Sequence, residues 1–311
     1  DLPLPEQRQI AEILDKADAL RAKRRAALAQ LDSLTQSLFL DLFGDPVSNP
    51  KRWPDSTRLG DIAEIVSGVT KGRKVNGKST RRVFYLAVIN VQDRALDLSV
   101  VKSIDATEEE IKRYRLEKND LLLTEGGDPD KLGRGTLWND ELPECIHQNH
   151  IFRIRLEKGE LTPLFLNWLI GSQRGKKYFL RAAKQTTGIA TINSTQLRNF
   201  LLLVPPLGLQ REFAHRIGAV EKLKTAQRAS LAELDAQIEG ALAQIEALRQ
   251  AGRGALHFST IQVNDPTLIA ELQVPTGAPG EYSEKTARVI DVEIWQFRVV
   301  ERGVLVRRLA I

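Results

Sequence analysis

The sequence has a single cysteine, Cys145, and no methionine among 311 residues. One cysteine cannot close an internal disulfide, so nothing in the chain asks for an oxidising compartment. Without an initiator methionine, the chain reads as a processed or excised product. No apolar run of about 18 residues occurs, and the stretch Leu201 to Leu207 is short and broken by Pro205 and Pro206. The opening Asp1-Leu-Pro-Leu-Pro5 has neither a basic leader nor an apolar signal core. These absences leave a cytoplasmic protein with no membrane attachment as the expectation. Several catalytic signatures are missing as well. The chain has no Gly-x-Ser-x-Gly elbow, no paired nuclease carboxylates beside a lysine and no Asn-Pro-Pro-Tyr methyltransferase motif.

Charge is present in modest surplus, 45 Lys and Arg against 40 Asp and Glu, a formal net charge of +5. Its placement says more, because residues 58–200 carry 24 basic and 18 acidic side chains. A basic surface attracts phosphate without regard to sequence, yet many basic proteins never meet DNA. Hydrophobic residues make up 42% of the chain, which fits a globular protein and excludes a disordered one.

The strongest organisational signal is an internal repeat. A shift of 203 positions lays Gln7-Arg8 on Gln210-Arg211, Arg25-Ala26 on Arg228-Ala229, and Leu31-Asp32 on Leu234-Asp235. Both copies follow a proline-rich helix start, Pro3-Leu4-Pro5 and Pro205-Pro206-Leu207. Each copy reads as one long helix. Ile10, Ala17, Leu31 and Leu38 recur at heptad spacing in the first, and Phe213, Val220, Leu234, Ala241 and Leu248 in the second. A helix from Glu6 to Phe43 would be roughly 57 Å long, too long for a globule of its own to cover. The two stripes are expected to pair as an antiparallel coiled coil, the alternative being that each packs on its nearest domain. Arg21, Lys23, Arg24 and Arg25 interrupt the first stripe; such clusters are commonly a solvated face, but Arg24 falls on the seam, where a polar residue can fix register.

Between the repeats the period changes. Arg82 to Val88, Asp120 to Thr124 and Ile151 to Leu156 are β-rich, the last alternating Ile151, Arg153, Arg155 with Phe152, Ile154, Leu156. Pro163 to Leu180 reads as a helix. The expected architecture is α+β: a long helix over 1–44, a mixed globule over 45–206, a second long helix over 207–250, and a tail over 251–311 of unknown role. Within that tail, Val289 to Val306 alternates and could form strands.

Two loops of the middle region could touch phosphate or bases. The first holds Lys71, Arg73, Lys74, Lys78, Arg81 and Arg82 among glycines that would let a backbone approach a strand closely. The second, Thr124 to Arg134, carries Lys131 and Arg134 and lacks the Gly-Lys-Ser/Thr ending of a nucleotide cradle. Thr186 to Asn193 offers short donors and acceptors, with Thr187 and Asn193 as candidate contacts. Asn193 could instead cap a helix beginning at Ser194, the usual job of Asn at such a boundary. Cys145, His147 and His150 invite a metal reading, but strand alternation parts them and no fourth ligand is evident. No metal and no cofactor is expected on this chain. Gln148, Asn149 and His150 are expected to serve as hydrogen-bonding groups.

These residues resemble a known family. The repeated Pro-Leu-Pro-Glu-Gln-Arg helix is similar to the conserved spacers of the specificity (S) subunits of type I restriction-modification enzymes. Leu59-Gly-Asp-Ile62, Asn119-Asp-Leu-Leu122, Gln148-Asn-His150 and Thr187-Gly-Ile-Ala-Thr-Ile-Asn193 look like the motifs of one target recognition domain of that family. The resemblance covers about residues 1–248. It implies a non-catalytic protein that reads one half of a bipartite site in double-stranded DNA, its helices serving as ruler and dock. Methyltransferase (M) subunits, holding S-adenosylmethionine and flipping the target adenine, and a translocating restriction (R) subunit would be its partners. The family pattern has two recognition domains and this chain has one, so a second half-specificity chain is a further expected partner. The competing expectation is a coiled-coil adaptor that binds no DNA.

Overall fold

The computed structural model describes residues 4–75, 77–128, 132–186 and 189–251, together with four strands beyond them. Helix α1 spans Leu4–Phe43. It stops where Gly44 takes the left-handed φ of +77° that glycine alone adopts freely. Its last carbonyls are capped from downstream: Lys51 Nζ donates to Leu42 O at 2.9 Å and Trp53 Nε1 to Phe43 O at 2.8 Å. There follow β1 (Ala63–Ser67), β2 (Arg81–Leu86), β3 (Val91–Gln92), β4 (Ala95–Leu96), β5 (Lys102–Ala106) and α2 (Glu108–Tyr114). Next come β6 (Leu121–Thr124), β7 (Gly126–Gly127), β8 (Gly135–Leu137), β9 (Cys145–His147) and β10 (Ile151–Leu156). The described middle closes with α3 (Pro163–Ile170), α4 (Gln173–Ala182), β11 (Lys184–Thr186), β12 (Ile189–Thr191), α5 (Ser194–Arg198) and α6 (Leu207–Ala251). The tail holds two hairpins, β13 (Ala270–Pro275) with β14 (Tyr282–Ala287), and β15 (Ile294–Val300) with β16 (Gly303–Leu309).

The chain divides into two units, one taking residues 36–217 and the other residues 1–35 and 218–311. In the first, an antiparallel sheet in the order β1-β10-β6-β8 carries the buried Ile65, Leu121, Leu123, Phe152 and Ile154. Each such side chain contributes about 1.5–3 kcal/mol on leaving water. A second sheet, β5-β2-β9, pairs β2 with β9 in parallel and packs Val83, Tyr85 and Ile146 against Ile111 of α2. The two arginines of β10 are structural. Arg153, only 3% exposed, donates to the carbonyls of Arg113 and Arg115 and pairs with Glu64. Arg155 grips the buried Asp120 through two hydrogen bonds of 2.7 Å. The ends of the long helices lie here too, where Phe39, Phe43, Phe165, Trp168 and Phe213 interlock at ring separations of 4.7–5.9 Å. Gln210 explains one repeated residue: fully buried, it accepts from Thr162 N at 2.7 Å and donates to Pro205 O at 2.8 Å.

The second unit holds the seam between α1 and α6. Arg24, Ala27 and Leu31 are buried on α1, and Val220, Lys224, Gln227, Leu234 and Ile238 on α6 or at its edge, following the three-four spacing of the stripe. Arg21 meets Asp235, Arg24 meets Gln227, and Lys224 meets Asp32. Partner numbers fall on α6 as they rise on α1, so the helices are antiparallel.

One expected element is corrected. Pro163 to Leu180 is two helices rather than one, because Ser172 adopts an extended ψ of 172° and restarts the chain as the N-cap of α4. Of the expected tail strands, Ile294–Val300 and the start of Gly303–Leu309 are strands. Residues 289–293 and 301–302 lie outside the described residues.

Candidate nucleic-acid interface

Register decides which loops meet. Ser67 at the end of β1 faces Phe152, Thr124 at the end of β6 faces Ile151, and Leu123 faces Gly135 at the start of β8. The connections over 68–80, 125–134 and 148–150 therefore all leave one edge of the central sheet. Backbone hydrogen bonds stitch them together. Val69 N donates to His147 O at 2.8 Å, Asn149 N to Val69 O at 3.0 Å, and Glu125 N to His150 O at 2.9 Å. Ile192 N donates to Glu125 O at 2.9 Å, and β12 adds to β7 through Thr191 opposite Gly126. The approach at Gly68 admits no side chain, since a Cβ there would lie 1.9 Å from His147 O. The segment preceding Asn193 thus joins the Thr124–Arg134 loop and the Gln148–His150 turn on one edge.

The candidate side chains fall into two groups. In the first loop, Arg73 binds the Glu110 carboxylate and donates to Asp105 O at 3.0 Å; Lys78 pairs with Glu109 at 2.7 Å; and Arg81 bridges Glu108 and Glu144. Glu108, Glu109 and Glu110 are the first turn of α2, a place that favours carboxylates because the helix N-terminus is positive, while Glu144 directly precedes β9. The hydrogen bond from Arg73 holds the Glu110 carboxyl below its ordinary range, and Arg81 does the same for Glu144. Lys71, Lys74 and Arg82 are exposed and have no ion pair among the described residues. Arg134 donates from Nη1 to Gln92 Oε1 at 2.9 Å. Asn193 Oδ1 accepts from Gln196 N at 2.9 Å as the N-cap of α5, while Asn193 N donates to Gln196 Oε1 at 2.8 Å. Lys131 and Thr187 lie outside the described residues.

Residues 50–235 match the family profile described as Type I restriction modification DNA specificity domain. The chain belongs to this family. It is 25% identical over 267 residues to the type I restriction enzyme StySPI specificity subunit of Salmonella potsdam, covering 81% of this chain and 55% of that protein. It is 23% identical over 266 residues to the EcoKI specificity subunit of Escherichia coli, covering 80% and 54%. The chain thus spans about half the length of the curated relatives it matches. Among solved structures it is similar to the HsdS subunit of Thermoanaerobacter tengcongensis, with a TM-score of 0.47, 20% identity, and coverage of 82% of this chain and 60% of that one. The S subunit from M. genitalium matches with a TM-score of 0.46 at 14% identity, covering 75% and 58%.

In this specificity-family chain the histidines and cysteine divide by burial. Cys145 is buried, and desolvation pushes its thiol up to about 12, so it is inert as a nucleophile. His147 is fully buried, its ring nitrogens 3.0 Å from Tyr114 O and 3.2 Å from Val66 O. Burial pushes its pKa down to about 4, leaving the ring neutral. His150 faces solvent and places Nδ1 2.6 Å from Glu125 Oε2. No group of three or more His, Cys, Asp or Glu among the described residues could hold a metal. No described helix is long and apolar enough to cross a membrane.

The first loop also contains a string that imitates a phosphate-binding loop. Gly72 to Ser79 spells the Gly-x-x-x-x-Gly-Lys-Ser of a phosphate-binding loop. Its surroundings deny that role, which needs a helix N-terminus directly after the lysine: the segment runs into β2, and Lys78 is held by Glu109. Sequence reading missed Gln92, which orients Arg134, and Glu125, which pairs with His150. Gln92 sits in a two-residue strand 42 positions from its partner and carries no local signal.

Proposed function

We propose that this chain recognises DNA sequence as a specificity protein of a type I restriction-modification system. It would read one half-site through a single recognition domain at 45–206, carried between spacer helices at 1–44 and 207–250. The convergence of three loops and the β12 segment on one sheet edge carries this reading, because base edges are read by several short polar segments presented together. Lys71, Lys74 and Arg82 supply charge not already committed to a carboxylate, and fit phosphate contacts. Arg134, oriented by Gln92, fits a bidentate guanine contact. Arg73, Lys78 and Arg81 support the loop against α2, and Asn193 serves first as a cap. Lys131 and Thr187 remain candidate contacts by position in the sequence.

On this reading the chain itself does no chemistry. Methyltransferase subunits would supply methyl transfer, a restriction subunit cleavage, and a second half-specificity chain the other half-site. The test is DNA affinity of the purified chain, alone and with methyltransferase subunits, across a salt series. Log affinity should fall linearly with log salt, by roughly 0.9 per phosphate neutralised. Absent or salt-insensitive binding would instead favour a protein adaptor.

A further inference from the structure

The charged contacts between α1 and α6 are symmetric, and the polar pair at their centre is not. The shift of 203 positions carries Arg21 onto Lys224 and Asp32 onto Asp235. Their ion pairs are therefore images of each other: Arg21–Asp235 at 2.6 Å on one side, Lys224–Asp32 at 2.8 Å on the other. The same shift carries Arg24 onto Gln227, and these two meet at 3.1 Å, 203 positions apart. A local two-fold axis thus passes between Arg24 and Gln227. The helices differ at this axis, where one offers a cation and the other a neutral amide. Both side chains are buried, at 1% and 7% exposure.

We propose that the Arg24–Gln227 pair selects the partner of α1, admitting a helix of the α6 type and rejecting a second α1. Consider what each pairing places at the axis. Two α1 helices from two copies would keep both flanking ion pairs, since Arg21 of each copy would face Asp32 of the other. They would also bury Arg24 against Arg24, two like charges out of water. Two α6 helices would set Lys224 against Asp235 and Gln227 against Gln227, amides that can hydrogen-bond to each other. The flanking charges are blind to the choice, so among the polar contacts of the seam discrimination rests on the central position. A single polar seam residue sets partner choice in this way because its alternatives cost more than its preferred pair. This selection concerns helix type. It applies equally to α6 of the same chain and to an α6-type helix of another.

The intact chain can be made to carry each axis composition in turn. Gln227→Arg sets Arg against Arg, as two α1 helices would. Arg24→Gln sets Gln against Gln, as two α6 helices would. The double variant Arg24→Gln/Gln227→Arg restores the mixed pair with the charge on the other helix. Amide hydrogen exchange across residues 18–32 and 221–235 reads the stability of the seam. Gln227→Arg should lose protection on the order of 100-fold. Arg24→Gln and the double variant should both stay within about tenfold of the parent. If Gln227→Arg keeps its protection, the axis does not discriminate and the proposal fails. It also fails if Arg24→Gln loses as much as Gln227→Arg, or if the double variant is no better protected than Gln227→Arg.

Discussion

Phe213→Ala probes how the first turns of α6 are held within residues 36–217. Phe213 is fully buried and packs edge-on against three rings: Phe43 at 5.4 Å, Trp168 at 5.5 Å and Phe39 at 5.7 Å. Truncating a buried phenylalanine costs about 3–5 kcal/mol through lost transfer energy and the cavity left behind. Edge-on aromatic pairs add about 0.5–1.5 kcal/mol each beyond burial. Three such pairs place the loss in the upper half of the range, at about 4–5 kcal/mol. Collapse is resisted because the neighbouring rings are themselves locked: Phe43 stands 4.7 Å from Phe165, and Arg94 lies 4.0 Å above the Trp168 ring. Urea unfolding followed by tryptophan emission suits the site, since Trp168 touches Phe213 directly. Phe213→Leu, which keeps most of the volume, should cost less than about 1.5 kcal/mol. A loss below about 1.5 kcal/mol for Phe213→Ala would refute the view that this cluster holds the first turns of α6 in place.

Three further predictions concern the interface and its support. Lys71→Ala/Lys74→Ala should weaken binding to all DNA sequences alike and shallow the salt slope by about two units, whereas an unchanged slope would remove both from the phosphate path. Asn193→Ala should cost about 1 kcal/mol of stability through loss of the α5 cap, with Asn193→Ser recovering most of it; if Ser restores stability but not DNA affinity, Asn193 also touches DNA. His147 is held neutral when folded, while in the unfolded chain it takes up a proton near its ordinary value of 6.5. Stability should therefore fall as pH drops from about 6.5 towards about 4 and flatten below, and an imidazole titrating near 6.5 in the folded protein's NMR spectrum would contradict this.

The helix pair was legible because its signals are local and repeated. A heptad stripe, a proline start and a 203-residue shift are visible in the chain alone, as was the seam position of Arg24. The cap at Asn193 was legible for the same reason, since Asn193 and Gln196 stand at fixed spacing within one turn. The first loop was less legible. Its six cations look alike in sequence, but Arg73, Lys78 and Arg81 are claimed by glutamates 27–37 positions away. That pairing depends on β2 meeting β5, with Arg81 opposite Ala106, which delivers the loop to the start of α2. No local pattern encodes it. The meeting of Val69 with Asn149 and of Glu125 with Ile192 is likewise a matter of sheet register.

The central claim, that the chain chooses a DNA sequence, is tested most directly by sequencing methylated adenines. The host would express the chain together with type I methyltransferase subunits, and a parallel culture would carry the chain with Lys71, Lys74 and Arg134 neutralised. The account predicts one new methylated motif with the intact chain, weakened or lost in the neutralised variant. No new motif, although the chain copurifies with the methyltransferase, would contradict it.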